Sequence, residues 1–289
     1  MTRFLFFLTL LAMSLPAGAQ SDPLAYRLFT GKGKKTKYKK LLRAAAEADV
    51  ILFGEAHNDP IAHWLQHQLG RDLAAARGGL TLGLEMLETD QQAILDDYLA
   101  GEVEVKAIDA VGEGLWSNFR TDYQPLVDWA RGQGYRVVAT NVPRKYARVV
   151  FQGGFDPLTD LPAAERELLP PLPVPYNATL PGYVRMKEMM PGGHGGENFP
   201  KAQAIKDATM AYFIARNHRP GVPFLHLNGS YHSDDYEGIG WYLRRYAPDL
   251  KVVTITTVEP EGDVKKLAAD QRGKADFPLA VPDLMTRTY

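Results

Sequence analysis

Five short apolar runs, each ending at or beside a polar residue and separated by helix-like stretches, predict an α/β fold with three layers, α/β/α, around a mainly parallel sheet. Two further observations support this class. Polar side chains gather just beyond the carboxyl ends of the runs, where open α/β sheets bind ligands. The balance of 45% hydrophobic and 23% charged residues over 289 positions suits one sizeable core.

The amino-terminal segment reads separately from this domain. Arg3 precedes a short apolar stretch, 4–15, and Ala17-Gly18-Ala19 gives a small-residue cleavage site, so 1–19 read as a secretory signal cut before Gln20. The stretch is too short for a membrane anchor, which needs about 17 or more apolar residues. Residues 20–289 then form a single exported domain, periplasmic or secreted, with no transmembrane segment expected. The chain has no cysteine, which leaves neither a disulfide nor a thiol for a lipid anchor. Removing the signal takes the formal charge from -1 to -2, and nothing suggests a nucleic-acid partner.

Six lysines, at positions 32, 34, 35, 37, 39 and 40, precede a first helix through Leu41, Leu42 and Ala46. The run lacks the glycine spacing and preceding strand of a phosphate loop. It reads either as a solvated basic segment or as a patch that attracts an anionic ligand or surface.

The first strand, 50–53, stops at Gly54 and is followed by Glu55 and His57. A helix from Pro60 carries His63 and His67 four residues apart, on one face. The second strand, 80–86, contains Glu85. A carboxylate in an apolar run needs a salt-bridge partner, a metal or a proton. Thr89 to Gln92 read as a capping box for a helix through Ile94, Leu95 and Leu99. Trp116, Phe119, Tyr123 and Trp129 cluster around a helix that stops at Gly132 or Gly134, as core or as a surface for a flat apolar ligand.

The third strand, 135–140, ends at Asn141. From about 152 to 200 the pattern dissolves into prolines and glycines, with Tyr176, Tyr183, Met186, Met189, Met190, His194 and Phe199, and reads as a mobile loop or lid inserted in the domain. Soft and aromatic side chains of this kind make His194, or a nearby Tyr183 or Met190, candidates to ligate a haem. A firm helix follows over 202–217, with Gln203 and Asp207 four apart. The fourth strand, 222–227, leads through Asn228 and Gly229 to His232. A last helix, about 237–246, and a fifth strand, 251–258, complete the sheet, and the tail after Gly262 reads as a loop.

A mainly parallel sheet brings Glu55, His57, Glu85, Asn141 and His232 to one edge. Such a set either holds a divalent transition metal, through Glu55, His57, His63 and His232, or divides acid and base work between its members, with His57, Glu85 and His232 as the catalytic group. No Gly-x-Ser-x-Gly elbow and no cysteine occur, which argues against an acyl-enzyme mechanism.

Gly54-Glu55-Ala56-His57-Asn58-Asp59-Pro60 with His63, Leu84-Glu85-Met86, Asn141-Val142-Pro143-Arg144, Gln203-Ala204-Ile205-Lys206-Asp207 and Gly229-Ser230-Tyr231-His232, in this order, resemble the ChaN-like haem-binding uptake family, a relative of the Tiki/TraB and erythromycin-esterase groups. The resemblance spans about 42–257. It implies an exported haem-binding protein of an iron-uptake route, dimerising around haem. It also implies that Glu55, His57, Glu85 and His232 match the polar site that hydrolyses substrates in the esterase and Tiki relatives, with His57 as general base and Gln203, Asp207 and Asn141 as polar support. Three readings follow: a haem carrier, a metal-dependent or metal-free hydrolase of an ester or peptide bond, and a domain whose histidines and carboxylates form a structural network.

Overall fold

The computed structural model describes residues 24–189, 196–261 and 264–289. Seven strands form one sheet: β1 (Arg27–Leu28), β2 (Val50–Glu55), β3 (Thr81–Glu88), β4 (Arg136–Asn141), β5 (Phe224–Gly229), β6 (Val252–Val258) and β7 (Phe277–Ala280), in the spatial order β1-β7-β6-β2-β5-β3-β4. All neighbours are parallel except β1, which pairs antiparallel with β7. The helices are α1 (Tyr38–Ala46), α2 (Pro60–Arg77), α3 (Gln92–Ala100), α4 (Gln124–Gly132), α5 (Arg144–Gly153), α6 (Ala163–Arg166), α7 (Pro181–Glu188), α8 (Asn198–Asn217) and α9 (Ile239–Tyr246). No helix of the described residues is long and apolar enough to cross a membrane.

The two faces of β2 explain the layering. Ile51 and Phe53 pack with Leu65, Leu69 and Leu73 of α2 in one cluster, which also takes in α1, α3 and α4. Val50 and Leu52 join Ile205 and Ile214 of α8 and Tyr242 of α9 in the other. A period of two along the strand therefore feeds two cores. The adjacent strands β2 and β5 send their following helices, α2 and α9, to opposite faces. This is the topological switch point, and it opens a crevice at their carboxyl ends.

The five expected strands are β2 to β6, but the tail is not a simple loop. Residues 277–280 form β7, which extends the parallel sheet beside β6, and β1 closes that edge. The capping box also lies one residue earlier than expected. Glu88 and Gln91 form it, with Glu88 N–H donating to Gln91 Oε1, while the Thr89 hydroxyl donates to Leu168 O. In the irregular segment, α7 packs Tyr183 and Met186 against Ala204 of α8.

Candidate functional site

Three strands deliver the site. β2 ends at Glu55, and α2 starts five residues later because Asp59 caps it, accepting hydrogen bonds from the N–H groups of Ile61 and Ala62. β3 breaks register with β4 between Leu84 and Glu88, which releases Glu85 from the ladder. The carbonyls left by this bulge are answered by side chains of β4: Thr140 donates to Leu84 O at 2.8 Å and Asn141 donates to Glu85 O at 3.0 Å. Asn141 thus supports the backbone of the site and not its side chains.

Glu55 is buried and accepts on both oxygens. Tyr123 Oη and His57 Nδ1 donate to Oε1 at 2.5 and 3.0 Å, and Gln66 Nε2 donates to Oε2 at 2.5 Å. Burial opposes the charge, yet the hydrogen bonds and charges of His57 and His63 outweigh it and hold Glu55 below its ordinary pKa. His57 keeps one third of its side chain exposed, stands edge-on to Trp116 at 4.8 Å, and is fixed through its carbonyl by Asn118. Burial lowers its affinity for a proton, but the Glu55 hydrogen bond and the Glu85 and Glu55 charges raise it further. Gly229 makes room for this ring, since a Cβ there would fall 2.8 Å from His57 Cε1 and Nε2.

His232 forms the second half. Its Nδ1 lies 2.5 Å from Asp207 Oδ1 and its Nε2 3.1 Å from Glu85 Oε1, a carboxylate at each ring nitrogen, which favours the imidazolium form. Burial works against that charge, but the two carboxylates raise its pKa to about 9. Glu85 Oε2 also accepts the Gly229 N–H at 2.6 Å. Although buried, Glu85 is held well below the usual carboxylate range, chiefly by the His232 charge. Asp207 accepts the Tyr183 hydroxyl on its other oxygen at 2.8 Å. Burial pushes its carboxyl above the ordinary value despite these partners. Gln203 Nε2 lies 3.0 Å from His232 Nδ1 and 3.2 Å from Nε2. Gln203 and Asp207 therefore face the site, not water.

Several expected roles are not met by this geometry. His63 and His67 do not act together: His63 is buried between Glu55 Oε2 and Asp122 Oδ2, each 3.5 Å away, whereas His67 lies against Trp129, where burial lowers its pKa. Of the proposed metal set of Glu55, His57, His63 and His232, Glu55, His57 and His232 are engaged in hydrogen bonds within the site, and both ring nitrogens of His63 lack a hydrogen bond. Among the described residues no group of three or more His, Asp or Glu is arranged to hold a metal ion. Tyr183 is buried with its hydroxyl on Asp207, which removes it as an open haem ligand. His194 and Met190 lie outside the described residues.

Other residues of the site escaped the sequence reading. Gln66 and Tyr123 hold Glu55, and Tyr123 had signalled core or a surface for a flat apolar ligand. His226 is fully buried in β5, between Thr140 Oγ1 at 2.8 Å and Asn228 Oδ1 at 3.1 Å, and burial pushes its pKa down to about 4. Asn228 passes the connection to Gly229 O and Ser233 Oγ. The signal for this relay was present as two polar residues two apart, His226 and Asn228, in an otherwise apolar strand.

Beside the Glu/His cluster a cavity of about 320 Å³ opens between the ends of β2, β5 and β6, lined by Ala56, Arg185, Ser230, Tyr231, Val258 and Lys274 among others. This volume is at the low end for small-molecule pockets, roughly 300–1,000 Å³. Tyr231 is 42% exposed at its rim, and its hydroxyl lies 3.5 Å from Met189 Sδ. Arg185 donates to Asp235 at 2.7 Å, and Lys274 pairs with Asp234 at 3.6 Å.

Comparison with known proteins gives three findings. The family model described as haem-binding uptake, Tiki superfamily, ChaN matches residues 41–243. The fold is similar to that of ChaN of Campylobacter jejuni, a structure described as showing cofacial haem binding, at TM-score 0.65 and 19% identity over 88% of this chain and 96% of that one. It is also similar to a Bacillus cereus protein at TM-score 0.50 and 15% identity, over 84% and 90% of the two chains. A curated relative, Protein RETICULATA-RELATED 5, chloroplastic, of Arabidopsis thaliana, is 24% identical over 215 residues. The match takes in 69% of this chain and 28% of the length of that relative.

Proposed function

The chain belongs to the ChaN haem-binding uptake family of the Tiki superfamily, and from that premise we propose that it is an exported haem-binding protein that seats one edge of the macrocycle in the cavity beside Tyr231. The observation that carries this reading is an exposed phenol, Tyr231, at the rim of a strand-end cavity that also presents the apolar contacts of Ala56 and Val258. Tyr231 would hold the group through its phenol oxygen, while Arg185 and Lys274, paired with Asp235 and Asp234, would have to exchange those partners to meet its carboxylates. Bound there, haem supplies an iron centre. The chain's own part is to hold and orient it. The cavity takes in an edge and no more, which leaves a broad apolar face outside and favours a second copy of the chain as its cover.

Export is supported by the charged start, short apolar stretch and small-residue site of 1–19. Amino-terminal sequencing of the protein recovered from cells should begin at Gln20, and an intact Met1 would refute it. The haem reading is tested by titrating haemin into purified 20–289. A saturable Soret shift at a defined stoichiometry is expected, and an unsaturable one would overturn the reading.

A second reading rests on a different observation. The line Asp207–His232–Glu85, with half-exposed His57 in front of it, resembles a charged acid-base group more than a structural network requires. Free of metal, it would hydrolyse an ester or peptide bond with His57 as general base. Turnover on a substrate panel that disappears in both His57→Ala and Glu85→Gln would support it, and turnover retained in either variant would end it.

A further inference from the structure

At the β1–β7 edge of the sheet, beside the strand-end crevice, the lysine run folds into a defined shape. Phe29 and Lys35 form an antiparallel bridge, and the turn between them closes through Thr30 N–H to Lys34 O at 2.8 Å and Gly33 N–H to Thr30 O at 2.7 Å. Gly33 adopts φ +76°, which only glycine takes without strain. The turn is pinned to the body of the protein by Gly273 N–H on Gly31 O at 2.9 Å and Gly31 N–H on Asp276 O at 2.8 Å. A depression of about 610 Å³ lies between this turn and the start of α1, lined by Thr30, Lys32, Lys34, Lys40, Tyr236 and Asp276 among others.

All six lysines of the run are exposed, and none forms an ion pair among the described residues. Elsewhere Lys145, Arg148, Arg185 and Arg287 do form ion pairs. Asp276, the carboxylate in the depression, accepts from Tyr236 Oη at 3.2 Å on one oxygen and from Thr254 N–H and Oγ1 at 2.9 and 3.2 Å on the other. These bonds hold it against the protein, and its single charge stands against the three lysines that line the depression. Tyr236 itself has φ +59°, an unusual conformation for a bulky residue, and follows Asp235 at the same φ. Two consecutive left-handed residues thus bring a phenol to the edge of a lysine-lined hollow.

The charge distribution adds direction. Residues 31–40 carry six positive charges and no acid in a chain of net charge -1, so the remainder carries -7. Such a chain presents one compact cationic spot on an anionic body, which orients it toward a small or planar anion. An extended polyanion such as a nucleic-acid duplex would meet the negative remainder on either side.

We propose that the depression formed by Lys32, Lys34, Lys40 and Tyr236 is a binding site for a phosphate-bearing anion, either a phospholipid headgroup or a free phosphate ester. Three ammonium groups from two elements converge on it, and the Tyr236 ring forms one wall. The site is independent of the haem reading, since it shares no lining residue with the strand-end cavity.

The test uses the purified chain from Gln20 onward and three probes: vesicles of phosphatidylglycerol mixed with phosphatidylcholine, vesicles of phosphatidylcholine alone, and glycerol phosphate in solution. Two charge-reversed variants are compared, Lys32→Glu/Lys34→Glu/Lys40→Glu inside the depression and Lys35→Glu/Lys37→Glu/Lys39→Glu outside it. They change the net charge equally, and all six positions are exposed, so folding should survive in both. Binding should weaken at least about ten-fold in the first variant and less than about three-fold in the second, and should fall with added salt. Co-sedimentation with the anionic vesicles alone identifies a lipid headgroup as the source, and saturable binding of glycerol phosphate identifies a free ester. Equal losses in the two variants, binding to none of the three probes, or equal binding to the anionic and the phosphatidylcholine vesicles would overturn the proposal.

Discussion

His232 places its Nδ1 2.5 Å from Asp207, and the same ring reaches Glu85 with Nε2 at 3.1 Å. A ring favoured as the imidazolium is thereby buried between carboxylates from α8 and β3, two elements far apart in sequence. The strand-end site is organised around this charge.

The pH dependence of stability follows from it. The His232 pKa is about 9 in the fold, above its ordinary value of 6.5. Its contribution is fully present below pH 6.5 and is lost as the pH rises through 9. The loss should be on the order of 3–4 kcal/mol, from about 1.4 kcal/mol per pKa unit. Urea unfolding from pH 6 to 10 checks this, and His232→Asn should flatten the alkaline limb. An alkaline limb unchanged in the variant would show that His232 is not the group responsible.

The acid limb belongs to the carboxylates. Glu55 and Glu85 both titrate below their ordinary value, so their contribution is present above about pH 4.5 and is lost as the pH falls. Glu85→Gln should cost about 3–5 kcal/mol at neutral pH, because it leaves one side of a buried imidazolium without its counter-charge. Asp207→Asn should cost less, since burial already pushes that carboxyl upward. Denaturant midpoints of the two variants give the ranking, and the reverse order would contradict it.

Tyr123→Phe isolates the support of Glu55. The variant keeps the buried ring and removes one donor from Oε1, with an expected loss of about 1–3 kcal/mol for an under-satisfied buried carboxylate. Chemical denaturation measures it. No loss would mean that His57 and Gln66 suffice.

Gly229→Ala probes the contact between the two halves. The added Cβ would stand 2.8 Å from His57, and the preceding strand fixes the backbone on the other side. The ring should swing away from Glu55, which would move the His57 imidazole resonances and lower its pKa toward 6.5. An NMR titration of the histidines follows both. Unchanged His57 signals would rule out the close approach.

Much of this arrangement was written in local sequence, and the exceptions have physical causes. Glu55, His57, Glu85 and His232 were legible because each follows or interrupts an apolar run, a pattern set by strand burial. β1 and β7 were not, since two and four residues with Pro278 give no period. Tyr183 was misread because a tyrosine in an irregular segment reveals nothing of its partner, and Asp207, 24 positions later, takes its hydroxyl. The i, i+4 spacing of His63 and His67 gave the right face of the helix but not the depth: a helix turn puts one at the Glu55 cluster and the other near solvent. The support from Gln66 and Tyr123 depends on crossings between elements that no single stretch encodes.

The most direct test of the haem-binding account is a comparison of haemin complexes of the wild-type chain and Tyr231→Phe by Soret titration. The substitution removes one exposed hydroxyl and leaves the Glu/His cluster intact. The account predicts a shifted, saturable Soret band in the wild type, and a weaker complex with a displaced band in the variant. Identical spectra and affinities in the two proteins would contradict the seating of haem beside Tyr231.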